Sequence, residues 1–187
     1  MELHIIRHTT PDVAPGICYG QSDISLSDSF TREMQVIRTK TGLLEPDVVF
    51  CSPLQRCRLL AQSLFHKQTI RYRDELMEMN FGQWELKAWD AIPMAELQTW
   101  MDDFYDQIPP DGESFHNLSL RVNHFIDDLL HLPVSSKVAI VTHSGCMRVM
   151  LMKWLSIPPS HLFNLKLQYG AVIRVSMQGE STNIEFL

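Results

Sequence analysis

Four basic side chains of this chain fall where an apolar run ends or a helix begins. Arg7 and His8 follow the run Leu3–Ile6, His143 follows Lys137–Thr142, and Arg56 belongs to Ser52-Pro53-Leu54-Gln55-Arg56, just after Asp47–Cys51. Taken singly, each has an ordinary explanation. Strands often end on polar residues, Arg56 could lie solvated on a helix, and His143 could be a core histidine with satisfied bonds. Gathered at one sheet edge they form a basic pocket whose simplest ligand is an anion, because guanidinium offers a fork of donors and imidazole adds more. A helix starting just before Arg56 adds the field of its N-terminus. Transfer of that anion also needs a proton donor for the leaving oxygen. Asp74–Glu85 supplies Glu75, Glu78 and Glu85. Pattern alone does not choose between Glu78 and Glu85.

The elements that position these residues are legible as alternating strands and helices. Leu3–Arg7, Asp47–Cys51, Thr69–Tyr72 and Lys137–Thr142 read as strands, with Ala171–Met177 and Asn183–Leu187 as a final hairpin around Gln178-Gly179. Lys137–Thr142 is apolar almost throughout, as expected where both sheet faces are covered. Helices are expected over Asp28–Leu43, from Ser52 as N-cap and Pro53 as first helical residue to about Phe65, over Trp89–Tyr105, Glu113–Leu132 and Ser144–Leu155. Asp12–Asp23 reads as a loop and Ile108-Pro109-Pro110-Asp111-Gly112 as a break. This alternation predicts an α/β fold, a three-layer α/β/α sandwich on a mostly parallel sheet. Ligands in such folds bind beyond the carboxyl ends of the strands, where the three basic stretches lie.

Composition narrows the function classes. The 187 residues suit one domain, with 45% hydrophobic and 20% charged residues. The formal net charge is −6, and the 16 Lys and Arg are scattered, which argues against a nucleic-acid partner. No apolar run approaches the roughly 18 residues of a membrane helix, and the start lacks a signal-peptide pattern, so a cytoplasmic location with no membrane partner is expected. The four cysteines, Cys18, Cys51, Cys57 and Cys146, form no C-x-x-C and are expected to be reduced, Cys51 and Cys57 as small apolar fillers. His116, His124 and His131 are spaced for a helix surface, so no metal and no other cofactor is expected.

Five stretches, I-I-R-H-T, G-Q-S-D, C-S-P-L-Q-R-C, E-L-M-E-M-N-F-G-Q-W-E and V-T-H-S-G, occur in an order that resembles the histidine phosphatase superfamily, the phosphoglycerate mutase-like branch, and together they cover most of the chain. The resemblance implies a phosphoglycerate mutase-like fold with a small helical cap insertion at about 80–112. It implies His8 as the nucleophile that becomes phosphorylated. Arg7, Arg56 and His143 would form the rest of the phosphate pocket, with Ser144 next to it. Glu78 matches the acid/base position and Glu85 a second, more often structural, acidic position. The chain departs from the usual Arg-His-Gly. Thr9 stands for the glycine, and Ala14 falls where an asparagine usually contacts the phosphoryl group. Backbone N–H groups near Gly20-Gln21, or the Thr10 hydroxyl, are expected to supply the missing donor.

The whole pattern, including Pro109-Pro110-Asp111-Gly112-Glu113-Ser114-Phe115, most resembles the α-ribazole phosphatases of the cobalamin pathway. The implied partner is a small-molecule phosphomonoester; a monomer or a homodimer fits equally. Phe81, Trp84, Trp89, Trp100, Phe104 and Tyr105 fall in the cap, and most of them are expected to pack beneath it. The alternatives are a broad-specificity metabolite phosphatase, a mutase, for which the chain is short, and an inactive binding module, which the retained His8, His143, arginines and Glu78 disfavour. No G-x-G-x-x-G follows the first strand, and no G-x-x-x-x-G-K-[ST] occurs, which removes dinucleotide-binding and P-loop readings.

Overall fold

The computed structural model describes residues 1–42, 44–179 and 181–187. Its strands are β1 (Glu2–Arg7), β2 (Val48–Cys51), β3 (Ile70–Tyr72), β4 (Lys137–Thr142), β5 (Val172–Gln178) and β6 (Ser181–Phe186). They form one sheet in the order β3-β2-β4-β1-β5-β6. The first four in that order run parallel, whereas β5 and β6 are antiparallel to their neighbours. Register aligns Arg7 with Thr142 and Cys51 with Val141, so β2, β4 and β1 end side by side.

Alternate strand residues feed two cores, because successive side chains point to opposite faces. Leu3, Ile5, Val138 and Ile140 pack with Val122 and Phe125 of α4 (Phe115–Leu129) and with Met147 and Met150 of α5 (Ser144–Leu155). Ile6, Val49, Ala139 and Val141 pack with Ile37 of α1 (Phe30–Thr41) and with Leu60 and Ala61 of α2 (Gln55–Leu64). Two helical layers on a mixed sheet make the expected α/β/α sandwich, and Val138–Thr142 is buried on both faces.

Several boundaries differ from those read in the sequence. The helix expected over Asp28–Leu43 spans Phe30–Thr41, and Leu43 lies outside the described residues. α2 begins at Gln55 with Leu54 as N-cap, so Ser52 does not cap it. The Ser52 hydroxyl is instead 2.8 Å from His143 Nε2. The helix expected over Trp89–Tyr105 is divided into a 3-10 turn at Trp89–Ala91 and α3 (Met94–Asp102). Pro93 explains the break. It lacks an N–H and biases Ile92 to its observed extended conformation, so the helix restarts after it. α4 is the best-capped helix, the Ser114 hydroxyl accepting the Asn117 N–H.

Between β3 and α4 the chain makes 3-10 turns at Asp74–Leu76, Gly82–Trp84 and Trp89–Ala91 before α3. Trp84 and Ile92 form a small separate core with Cys18 of the loop that follows β1. No helix among the described residues is long and apolar enough to cross a membrane.

Candidate active site

The site sits at the carboxyl ends of β1, β2 and β4. His8 follows β1, Arg56 lies in the first turn of α2 beyond β2, and His143 joins β4 to α5. The His8 N–H donates to the Thr142 carbonyl and the Ser52 N–H to the Val141 carbonyl, which continues the ladder into the site. His8 is 1% exposed, and its ring lies 5.0 Å, centroid to centroid, from that of His143.

The orientation of the His8 ring is set by its own backbone. Nδ1 lies 2.7 Å from the Thr9 carbonyl, an acceptor, so Nδ1 carries the proton and Nε2 keeps its lone pair. Burial, then the charges of Arg56 and Arg7, hold the His8 pKa well below the ordinary histidine value. Burial and the same cations depress His143 likewise.

Arg56 is completely buried. Its Nη2 donates to the Gly20 carbonyl at 2.5 Å and Nη1 to the Ser22 carbonyl at 2.9 Å. Arg7 donates from Nη1 to the Leu167 carbonyl. The Nε of each arginine is buried without a protein partner, so both keep a donor that a bound oxyanion could satisfy.

The two glutamates are separated by what holds them. The Glu78 carboxylate accepts the Met79 N–H at 3.0 Å, the Gly145 N–H at 3.1 Å and the Ser144 hydroxyl at 3.2 Å, which seats it on the N-terminus of α5. Glu85 instead binds the loop after β1, accepting the N–H groups of Gln21 at 2.8 Å, Ser22 at 2.5 Å and Phe81 at 3.1 Å. Burial pushes the Glu85 carboxyl up, but the Ser22 hydroxyl and these N–H groups outweigh it and hold it below the usual range. Glu78 lines the cavity beside His8 and Arg7; Glu85 does not.

Of the groups near the missing asparagine, the Thr10 and Gln21 backbone N–H groups are bonded to the scaffold. The Thr10 N–H donates to Glu33 at 2.8 Å. The Gln21 N–H is taken by Glu85, and its side-chain amide donates to the Glu78 carbonyl at 3.1 Å. Gly20 is required by a close approach, since a Cβ there would lie 1.8 Å from the Met79 carbonyl oxygen. In this structure Gly20 and Gln21 thus make contacts that support Arg56 and the Glu78 segment, and Thr10 is tied to Glu33 of α1. Thr9 tolerates the loss of glycine because its backbone is outside the positive-φ region.

A cavity of about 590 Å³ opens beside His8. Arg7, Glu78, Ser144 and Arg148 give it polar groups, and the wall is otherwise mainly apolar and aromatic. Phe81, Trp89, Trp100 and Phe104 line it while packing edge-on or stacked against one another, so these four are more than packing beneath a cap. Trp84 is buried and Tyr105 packs against Phe115 and His116, as expected of core.

Sequence reasoning missed Arg148, Tyr19 and Phe163 on the wall. Arg148 lies one helical turn beyond Ser144, a spacing that could have flagged it. It also missed Arg121, which donates to the carbonyls of Glu75 at 2.8 Å, Met77 at 2.7 Å and Glu78 at 3.0 Å and pairs with Glu113 at 2.6 Å, fixing the segment that carries Glu78. All four cysteines are free and buried, and burial pushes Cys18 and Cys146 up to about 12. Among the described residues, Glu75, His124 and Asp128 bring ligand atoms within 4.8 Å of one another, but Arg73 already occupies both carboxylates at 2.7 Å.

Residues 3–187 match the family model of the histidine phosphatase superfamily (branch 1). An adenosylcobalamin/alpha-ribazole phosphatase of Salmonella typhimurium is 26% identical over 177 residues, 91% of this chain and 87% of that protein. A protein of Erwinia tasmaniensis named "Probable phosphoglycerate mutase GpmB" is also 26% identical, over 95% of this chain and 86% of its own length. The crystal structure of the alpha-ribazole phosphatase from Shigella flexneri superposes with a TM-score of 0.91 at 24% identity, covering 100% of this chain and 96% of that one.

Proposed function

We propose, from the premise that this chain belongs to the histidine phosphatase superfamily, that it is a phosphoric monoester hydrolase working through a phosphohistidine at His8. The observation that carries the reading is the His8 ring. Its Nδ1 proton is spent on the Thr9 carbonyl, and Nε2 is left unprotonated among Arg7, Arg56 and His143.

In the first half-reaction Nε2 attacks phosphorus in line, the ester P–O bond breaks, and Glu78 gives a proton to the leaving alkoxide. In the second, water attacks the phosphohistidine, the P–N bond breaks, and Glu78 takes the proton from that water. Arg7, Arg56 and His143 stabilise the equatorial oxygens. Preorganised donors of this kind contribute about 3–4 kcal/mol each, and a positioned acid/base contributes roughly 10²–10⁴ in rate. The guanidinium groups supply the positive charge that the transferring phosphoryl group requires.

The preferred substrate is α-ribazole 5′-phosphate, giving α-ribazole and phosphate in cobalamin biosynthesis. The names of the relatives and the aromatic wall support this, because a benzimidazole-like base buries well against Trp and Phe rings. Base binding that is equal in ground and transition states lowers KM and leaves kcat alone. A small 3-phosphoglycerate, with a carboxylate beside its phosphate, would leave most of an apolar cavity wet, which disfavours the mutase reading.

The test is competition among α-ribazole 5′-phosphate, ribose 5-phosphate and 3-phosphoglycerate in one assay of the purified protein. α-Ribazole 5′-phosphate should show the highest kcat/KM. Equal or faster turnover of either competitor would replace this assignment with a broad-specificity phosphatase.

A further inference from the structure

Two tyrosines with no part in the chemistry above meet beside the arginine pair. The Tyr19 and Tyr169 hydroxyls are 2.5 Å apart, although the residues are 150 positions apart in the chain. The Arg7 guanidinium carbon lies 4.1 Å from the centroid of the Tyr169 ring, and that of Arg56 lies 5.4 Å from the centroid of the Tyr19 ring. The Tyr169 ring also lies 5.5 Å from that of His8.

Both tyrosines are anchored by their neighbours. The Gly170 N–H donates to the His8 carbonyl at 3.1 Å, and Arg7 donates to the Leu167 carbonyl. On the other side Cys18 exchanges backbone hydrogen bonds with Lys87 and Leu86, and the Gly20 carbonyl receives Arg56. A guanidinium attracted to a ring by its face is confined to a plane and presents its N–H edge elsewhere. In both arginines Nε on that edge has no protein partner.

We infer that Tyr19 and Tyr169 are positioning residues: their bridged rings hold Arg7 and Arg56 so that the free edges of the guanidinium groups meet the phosphoryl oxygens. This rests on the phosphatase reading. The bridge joins the loop after β1 to the segment before β5, so the two halves of the arginine clamp are set together. Removing either hydroxyl removes the same single bond, and the two losses are not additive.

The experiment compares the wild type with Tyr19→Phe, Tyr169→Phe, the double Phe variant and Tyr169→Leu. It uses p-nitrophenyl phosphate as substrate, vanadate as inhibitor, and thermal melting as a check on folding. Each Phe substitution should raise the vanadate inhibition constant about 3- to 10-fold, as the loss of one hydrogen bond does, and the double variant should match the singles. Tyr169→Leu also removes the ring beneath Arg7 and should raise the constant about 10- to 30-fold, with kcat falling more than KM rises. Effects of the two Phe substitutions that multiply, or inhibition constants unchanged in an active, folded set, overturn the inference alone. A wild type inactive on every phosphomonoester overturns the phosphatase reading with it.

Discussion

A histidine that is 1% exposed between two guanidinium groups resists protonation, and an unprotonated Nε2 is what a nitrogen nucleophile must offer. His8→Ala should lower turnover by a factor on the order of 10⁴–10⁶, as loss of a nucleophile does elsewhere. Rapid quenching with a labelled phosphomonoester should trap an acid-labile, alkali-stable phosphoprotein in the wild type and none in the variant. Undiminished labelling of His8→Ala would move the nucleophile to another residue. The glutamates should separate by leaving group, because a poor leaving group depends most on the proton donor. Glu78→Gln should slow alkyl phosphates about 10²–10⁴-fold and p-nitrophenyl phosphate far less. Glu85→Gln should instead lower stability by about 1–2 kcal/mol through the N–H groups of Gln21, Ser22 and Phe81. The opposite assignment of leaving-group dependence would reverse the roles.

At the level of elements, the N-terminus of α5 is what turns Glu78 toward the site. The Gly145 N–H binds its carboxylate, and a Cβ on Gly145 would lie 2.1 Å from Glu78 Oε1. The nearest obstructing atom is the end of a flexible side chain, and Leu118 Cδ2 at 3.0 Å has to give by only a few tenths of an ångström, so Gly145→Ala should evict the carboxylate and leave the helix in place. The expected outcome is a variant with near-native melting and the leaving-group profile of Glu78→Gln. Native activity on alkyl phosphates in Gly145→Ala would show that this seat is dispensable. The same logic makes Arg121 a structural support of the chemistry. It ties three carbonyls of one short segment, of Glu75, Met77 and Glu78, to Glu113 just before α4.

The whole molecule carries the cost of keeping two histidines neutral. His8 and His143 are both depressed by burial and by the arginines, whereas an unfolded histidine titrates near 6.5. Below about pH 6.5 the unfolded chain therefore binds more protons than the folded one, and stability falls as pH falls. The loss approaches roughly 1.4 kcal/mol per pH unit for each histidine until the folded residues protonate. The depressed carboxylates Glu33, Glu75 and Glu85 add a loss of the same sign at more acidic pH. Melting temperature should be flat above about pH 7 and fall between pH 6.5 and 5, with the fall reduced in a His8→Asn, His143→Asn double variant. A melting temperature constant from pH 7 to 5 in the wild type would contradict this account.

What the sequence determined by itself was the sheet, the order of its helices and the residues gathered at its edge. Strand periodicity and apolar helix faces are local, and parallel strands that end together place Arg7, His8, Arg56 and His143 side by side with no further information. The choice of Glu78 came from resemblance alone, because the segment that carries it has no regular period. The tertiary structure gave a physical basis for separating Glu78 from Glu85, since that depends on which N–H groups each carboxylate meets across the chain. The tertiary structure also ties the Thr10 and Gln21 N–H groups to Glu33 and Glu85, turns Ser52 to His143, and gives the Gln55 N–H at the start of α2 to the Asp23 carboxylate. It placed Trp89 and Trp100 on a cavity wall and joined Tyr19 to Tyr169. Each of these depends on partners distant in sequence, and a hydroxyl, amide or ring that can bond locally or across the chain takes the partner that the packed elements bring to it.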